Sequence, residues 1–369
     1  MRAMANLNGL SCVFMPGPSA AFIFKSSQTI PRVLSLRGAG VRTLSSFHTE
    51  GCDRGFIYMD TSGVARVCEL DKHTNTTDLG LTLRRMAMGE DISHVAYHAP
   101  KNVYAVATQT LEPFELPRDD DYHKEWAKEE LSFKPLAPRG CVKLLSPQGW
   151  EVVDQHALDE HETALCMQVL NLEISENSHK RRHVLCVGTG VSQGEDLPIK
   201  GRVWVFDIIR VVPYPGKPHT NTALKLLAKE EIPRGAVTSL SAIGSQGFLV
   251  VGQGQKAMVR GLKEDGTLLP VAFMDMGTYV TDIKTVPGSG LAAFADAVKG
   301  CWLVGYAEEP YKMIALGKQG GGMEIVALEM LPVGGDLFIV VADADCNIHI
   351  LQFDPERKFP LTSTSPQLY

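Results

Sequence analysis

The nearest thing to a reactive loop in this sequence is Gly188, Gly190 and Gly194 in the string GTGVSQG, which follows an apolar run as a phosphate-cradling fingerprint does. The spacing departs from that fingerprint, and Glu195, Asp196 and Pro198 follow where a helix N-terminus should receive the anion. A turn is expected instead. Asp343, Asp345 and Asn347 open like a calcium loop, but Ile348 stands where the bend needs glycine and Asp354 where a bidentate glutamate belongs. A hairpin turn accounts for all three polar residues. His94 with His98, and His179 with His183, have HxxxH spacing without further ligands at hand, which predicts solvated or core histidines rather than a zinc site. No G-x-S-x-G elbow occurs, and none of the eight cysteines lies in a CxxC pair or beside a recognisable nucleophile signature. These residues predict no catalytic, cofactor or metal site.

Two segments have the composition of contact surfaces. His179, Lys180, Arg181, Arg182 and His183 form one compact basic cluster, suited to RNA phosphate or an acidic partner, with a solvated hairpin tip as the plain structural reading. Residues 109–140 form a polar insertion with Asp119, Asp120 and Asp121 at its centre and Phe114, Trp126 and Phe133 around them. Such an insertion either carries binding at the rim of a rigid scaffold or stays disordered.

Composition narrows the function classes. The 369 residues are 44% hydrophobic and 21% charged, as in ordinary folded proteins, which excludes disorder and collagen. A formal charge of −6 gives no global basic footprint, which speaks against a free-standing nucleic-acid binder driven by phosphate neutralisation and leaves room for a local patch. No apolar run approaches the roughly 18 residues of a membrane span, so no membrane association is expected. The cysteines sit mostly within apolar runs and read as buried thiols of a reducing compartment. The first 49 residues lack Asp and Glu, which imitates an organellar transit peptide and with it an organellar enzyme. Residues 12–15, 21–24 and 32–36 are nevertheless short β-type runs broken by proline and glycine, and strands are predicted there.

What must position these loops is a repeat. Residues 236–243, 247–252 and 256–262 give three strand runs joined by short glycine-containing turns. The triplet recurs at 279–286, 290–296 and 300–306, then at 323–330, 335–343 and 346–353, with Gly247, Gly290 and Gly335 spaced by 43 and 45. Upstream units read as 163–170 with 183–189 and 201–208, as 92–98 with 102–108 and 141–146, and as 55–60 with 63–70. The count is six units and an N-terminal partial one. A small antiparallel sheet has two apolar faces and cannot bury both alone, so neighbouring sheets must cover them. The expected fold class is therefore all-β, a β-propeller of about seven blades when complete. It would run over residues 1–353, with 354–369 as a tail.

Particular strings carry a further resemblance. Tyr97 and His98 followed by KNVYAVAT at 101–108, SPQGWEV at 146–152, and above all CVGTGVSQGEDLPIKGRVWVFDIIRVVPYPGKP at 186–218 resemble the largest subunit of the cleavage and polyadenylation specificity factor, in its fungal form. The resemblance implies a nuclear scaffold of pre-mRNA 3′-end processing whose subunits carry three propellers and a helical C-terminal domain. It implies that this chain is a fragment holding the last propeller, with 354–369 departing from the family where the helical region should start. The implied partners are the zinc-finger and WD-repeat subunits that read the RNA signal, with pre-mRNA met indirectly and with no catalysis or cofactor at these positions. Two related readings stand beside it: a propeller adaptor of a cullin-type ubiquitin ligase, and a direct RNA-binding module built on Lys180–Arg182.

Overall fold

The structure is a computed structural model that describes residues 1–24, 31–36, 40–70, 86–115, 124–125, 128, 134–175, 177–194, 197–319, 321–356 and 361–363. It divides into two compact units, Met1–Ala87 and Met88–Tyr369. The sequence predicts one propeller across 1–353, and strand periodicity alone does not reveal which sheets pack on which.

In the first unit, β1 to β4 (Arg2–Leu7, Leu10–Met15, Ala21–Phe24, Arg32–Ser35) form one antiparallel meander. Strands β5 to β7 (Val41–Thr49, Cys52–Asp60, Ala65–Cys68) form a second. The N-terminal segment is thus strands, as its broken β-type runs predict. A shared core of Phe14, Phe22, Phe24, Phe56 and Tyr58 lies between the two sheets, with Phe22 and Phe56 meeting edge to face at 4.9 Å.

The second unit holds five four-stranded meanders. The third sheet comprises β8 to β11 (Asp91–His98, Val103–Pro113, Leu136–Ser146, Glu151–Ala157) and the fourth β12 to β15 (Glu162–Ser175, Lys180–Val191, Lys200–Arg210, Thr222–Ile232). The fifth comprises β16 to β19 (Val237–Ile243, Phe248–Gln253, Lys256–Leu262, Leu268–Asp275) and the sixth β20 to β23 (Val280–Thr285, Leu291–Asp296, Gly300–Glu308, Tyr311–Lys318). The seventh comprises β24 to β27 (Ile325–Val333, Asp336–Asp343, Ile348–Phe353, Leu361–Ser363). The first strand of each sheet packs against the first strand of the next, so β8, β12, β16, β20 and β24 follow one another on the inner side. Each interface has its own apolar cluster: Leu144 with Phe206, Val203 with Leu240, Val250 with Phe294, and Ala293 with Ile339 mark the four in order. This is propeller architecture.

Two features come from packing rather than pattern. Every inner strand carries a bulge near its start, at Ile92/His94, Ala164/Cys166, Val237/Ser239, Val280/Asp282 and Ile325/Ala327. A bulge bends and twists its strand, which lets inner strands crowd together. It also frees side chains to bridge sheets. The Cys166 thiol reaches the Val237 carbonyl at 3.6 Å, the Thr238 hydroxyl donates to the Val280 carbonyl at 2.6 Å, and the Thr281 hydroxyl donates to the Ile325 carbonyl at 2.7 Å. The second feature is the outer strand. Strands β15, β19 and β23 fall where the sequence shows connections, because outer strands are half solvated and lack a continuous apolar run. Strand β27 likewise lies within 354–369, so the described part of that tail completes the seventh sheet instead of starting a helical region. No α-helix occurs among the described residues, and no helix is long and apolar enough to cross a membrane.

Aspartates close the turn after the second strand. Asp60 accepts from the Ser62 hydroxyl at 2.6 Å and from the Val64 and Ser62 amides at 2.9 and 3.0 Å. Asp343 accepts from the Asn347 amide at 2.8 Å and from His349 Nε2 at 2.8 Å, so the calcium-like DxDxN string is a hairpin turn, as expected. The Ser62 hydroxyl above all holds Asp60 down at about 2 from 3.8. His349 above all does the same for Asp343, also to about 2. A carboxyl lowered by folding stabilises the fold fully above its unfolded pKa, near 3.8, and that contribution vanishes as pH falls through about 2. Thermal midpoints recorded across acid pH should therefore fall between about pH 4 and 2. The paired Asp60→Asn and Asp343→Asn substitutions should flatten that fall, and an unchanged profile would contradict this assignment.

Candidate functional site

The basic string lies where the third and fourth sheets meet at one end of the second unit. Strands β12 and β13 pair down to Ser175↔Lys180, and residues 177–179 are turn, so the string starts at a hairpin tip, as the plain reading expects. The string does not act as one patch. Lys180 is exposed at the tip, whereas Arg182 is half-buried and ion-paired with the carboxylate of Asp207 on β14. His179 bonds Glu173 Oε1 at 3.0 Å through Nδ1. Arg181 and His183, together with the paired Arg182, border a cleft of about 410 Å³.

Three segments far apart in sequence build that cleft. The turn after β8, a single 3-10 turn over Ala99–Lys101, brings His98 and Lys101. The start of β13 brings Arg181 and His183, and the end of β14 brings Arg210. His98 is 2% exposed and donates from Nε2 to the His183 carbonyl at 3.1 Å, while the two rings meet edge to face at 6.4 Å. Burial, as the largest cause, pushes the His98 imidazole below its ordinary value, and the neighbouring His183 and Lys101 charges act the same way. His98 Nδ1 has no hydrogen-bond partner. The HxxxH pairs thus dissolve: His98 joins His183 across two sheets, while His94 is half-buried and pushed down by burial. No group able to hold a metal occurs among the described residues.

A second concavity, about 260 Å³, lies at the root of the insertion and is bordered by Glu112, Glu115, Arg139, Glu160 and His161. Here β9 and β10 extend their ladder out to Pro113↔Leu136, so the insertion is narrower than residues 109–140. Asp119, Asp120, Asp121 and Trp126 lie outside the described residues. Glycine placement also differs from expectation. Gly188 and Gly190 are not in a turn but inside β13, where they face Val237 and Ala236 of the next sheet. Only Gly194 has the left-handed φ, +95°, of a turn glycine. Buried Cys166 and Cys301 have thiols pushed up to about 12 by burial, and Cys186 is raised by the same cause, so none is a thiolate nucleophile.

Lys101 and Arg210 belong to the cleft although neither draws notice in the sequence. No local signal could have found them, since 80 residues separate Lys101 from Arg181 and only sheet packing joins the two.

Meander sheets stacked through their inner strands, with a site made by turns at one end, define a β-propeller protein. Comparison with known proteins makes the class particular. Residues 139–360 match the family model described as CPSF A subunit region, and residues 1–70 match that of the RSE1/DDB1/CPSF1 second beta-propeller. The chain is 56% identical to Protein cft1 of Neurospora crassa over 97% of its length and 24% of that protein's. It is 47% identical to Protein cft1 of Aspergillus clavatus over 99% and 26% of the two lengths, and 31% identical to that of Schizosaccharomyces pombe over 97% and 24%. The chain belongs to the CPSF A subunit family and spans about a quarter of the length of these relatives.

Proposed function

We propose that this chain is a scaffold segment of the nuclear complex that cleaves and polyadenylates pre-mRNA, and that it works by holding loop rims rigidly toward other subunits. The observation that carries the reading is 56% identity to a Protein cft1 along almost the whole chain. The proposed partners are the zinc-finger and WD-repeat subunits, with no enzymatic step assigned to this region. The units on either side of Ala87 are read as parts of two successive propellers, which the separate family matches to 1–70 and 139–360 support. The outward faces of the third and seventh sheets expose Val95 and Tyr97, and Leu331, Ile348 and Ile350. We read these faces as the places where further blades of the longer protein pack, since an uncovered apolar sheet face is costly in water.

Affinity purification of the tagged full-length subunit should recover the polyadenylation machinery. Recovery of cullin-type ligase components in its place would install the adaptor reading instead.

A further inference from the structure

We infer that the cleft between the third and fourth sheets is a binding site for a small organic polyphosphate, a compact molecule bearing several phosphate groups, held by Lys101, Arg181 and Arg210. Such a site stands independently of the scaffold role proposed above.

The charge in the cleft is uncompensated. Asp207 is the one carboxylate among the bordering residues, and Arg182 already occupies it. Lys101, Arg181 and Arg210 make no ion pair among the described residues, although Arg181 lends its field to Glu308 on the sixth sheet. The potential reaches into the seam: burial pushes the His98 imidazole down first, and the charges of His183 and Lys101 lower it further. The backbone that carries the three cations is held in place. Arg181 and Arg210 sit on β13 and β14, and Lys101 on the 3-10 turn that the Asn102 amide closes onto the Ala99 carbonyl at 3.2 Å. His98 pins that turn to the fourth sheet through the His183 carbonyl at 3.1 Å. Cations converging on a concave surface focus potential more strongly than the same cations spread over an open one, and a ligand gains from their being positioned beforehand.

Size and valence select the ligand. About 410 Å³ lies within the roughly 300–1,000 Å³ of small-molecule sites and far exceeds what a bare ion fills. A phosphate monoester carries about −1.5 to −2 charge at neutral pH and three acceptor oxygens. The guanidinium groups of Arg181 and Arg210 meet such oxygens in a bidentate fork. A carboxylate offers a single charge and two oxygens, and answers less of this field per unit of volume. The cations come from three segments of two sheets and face one hollow, an arrangement met by anionic groups that radiate from one compact frame. Pro100, Ile208 and Ile209 supply the apolar part of the wall, against which the carbon frame lies. A ligand seated there ties the third sheet to the fourth, because Lys101 follows β8 while Arg181 and Arg210 belong to β13 and β14.

The test is isothermal titration calorimetry of the full-length subunit, with inositol hexakisphosphate as the probe. A single site per subunit is expected. Lys101→Glu with Arg210→Glu should weaken binding at least about tenfold, the worth of one charge-assisted contact. Lys180→Glu, at the tip outside the cleft, should change it less than about threefold, as for an exposed charge that makes no contact. Hydrogen exchange of the unaltered subunit, which needs no variant, should slow at residues 98–102 and 181–183 when the probe is bound. Titration with ATP separates the two sources of clustered phosphate. Tighter binding of ATP, with the same loss in the double variant, supports the site and assigns it to nucleotides, whereas tighter binding of the inositol compound assigns it to cyclitol phosphates. No binding of either probe, a double variant that binds as the original does, a larger loss from Lys180→Glu, unchanged exchange at those residues, or displacement of the probe by a peptide of aspartate and glutamate at lower concentration would each overturn the site.

Discussion

Replacing Glu162 with leucine is expected to destabilise the second unit by about 3 kcal/mol, at the low end of the roughly 3–5 kcal/mol for breaking a buried ion pair. Glu162 opens β12 and is fully buried. One carboxylate oxygen accepts from the Trp204 indole at 2.7 Å and from the Thr189 hydroxyl, and the other accepts from Arg202 at 2.9 Å and from the Asp159 amide at 3.1 Å. Leucine leaves the Trp204 indole without an acceptor in a dry interior, a loss that costs about 1–3 kcal/mol, and leaves the Thr189 hydroxyl only its longer bond to the Arg202 carbonyl at 3.3 Å. Arg202 softens the effect, because Asp159 at 3.1 Å and Glu231 at 3.2 Å still hold it. Glu162→Gln, which retains an acceptor oxygen, should therefore cost clearly less than Glu162→Leu. Denaturant unfolding followed by tryptophan fluorescence reads both variants, with Trp204 inside the network as the reporter. Equal midpoints for leucine and glutamine would show that hydrogen bonding at this position contributes little.

Gly188→Val is the second large effect, expected at about 3 kcal/mol, the upper end of the usual cost of overpacking a core. A Cβ on Gly188 would lie 2.4 Å from Val237 Cγ1 and 2.5 Å from Cys166 Sγ, far inside contact distance. Both neighbours belong to the seam between the fourth and fifth sheets, and Val237 is fully buried and starts the bulge of β16. Neither has room to retreat. Adding Val237→Ala should recover part of the loss, since residues in contact couple energetically. Thermal unfolding of the single and double variants measures this. A Gly188→Val chain as stable as the original would mean that the two sheets do not approach this closely.

These two positions show how far the sequence could be read. The string around Gly188 is distinctive enough to carry a family resemblance, yet its glycines look like a loop. They are instead strand residues stripped of side chains so that another sheet can approach, and spacing does not separate the two causes. Asp60, Asp296 and Asp343 tell the opposite story. All three end second strands that the sequence locates by apolar run and closing aspartate, and the same local hydrogen bonding that makes aspartate a turn residue operates in the fold. For the candidate site, the basic string at 180–182 was visible, but its partition was not. Arg182 is spent on Asp207, Lys180 stands apart at the tip, and the cations that join Arg181 come from Lys101 and Arg210.

The sequence by itself determined the strand-forming segments, their recurrence, the turns that punctuate them and the family they belong to. Each of these follows from side-chain alternation, glycine and aspartate placement, and local strings, all properties of residues near one another in the chain. Only the tertiary structure decided that the first two sheets separate from the other five, that outer strands complete every sheet of the second unit, and that a cleft forms between the third and fourth. Those outcomes depend on which faces cover which. Coverage is settled by the shape and volume of side chains on different sheets, distant from one another in the chain, and no local pattern encodes it.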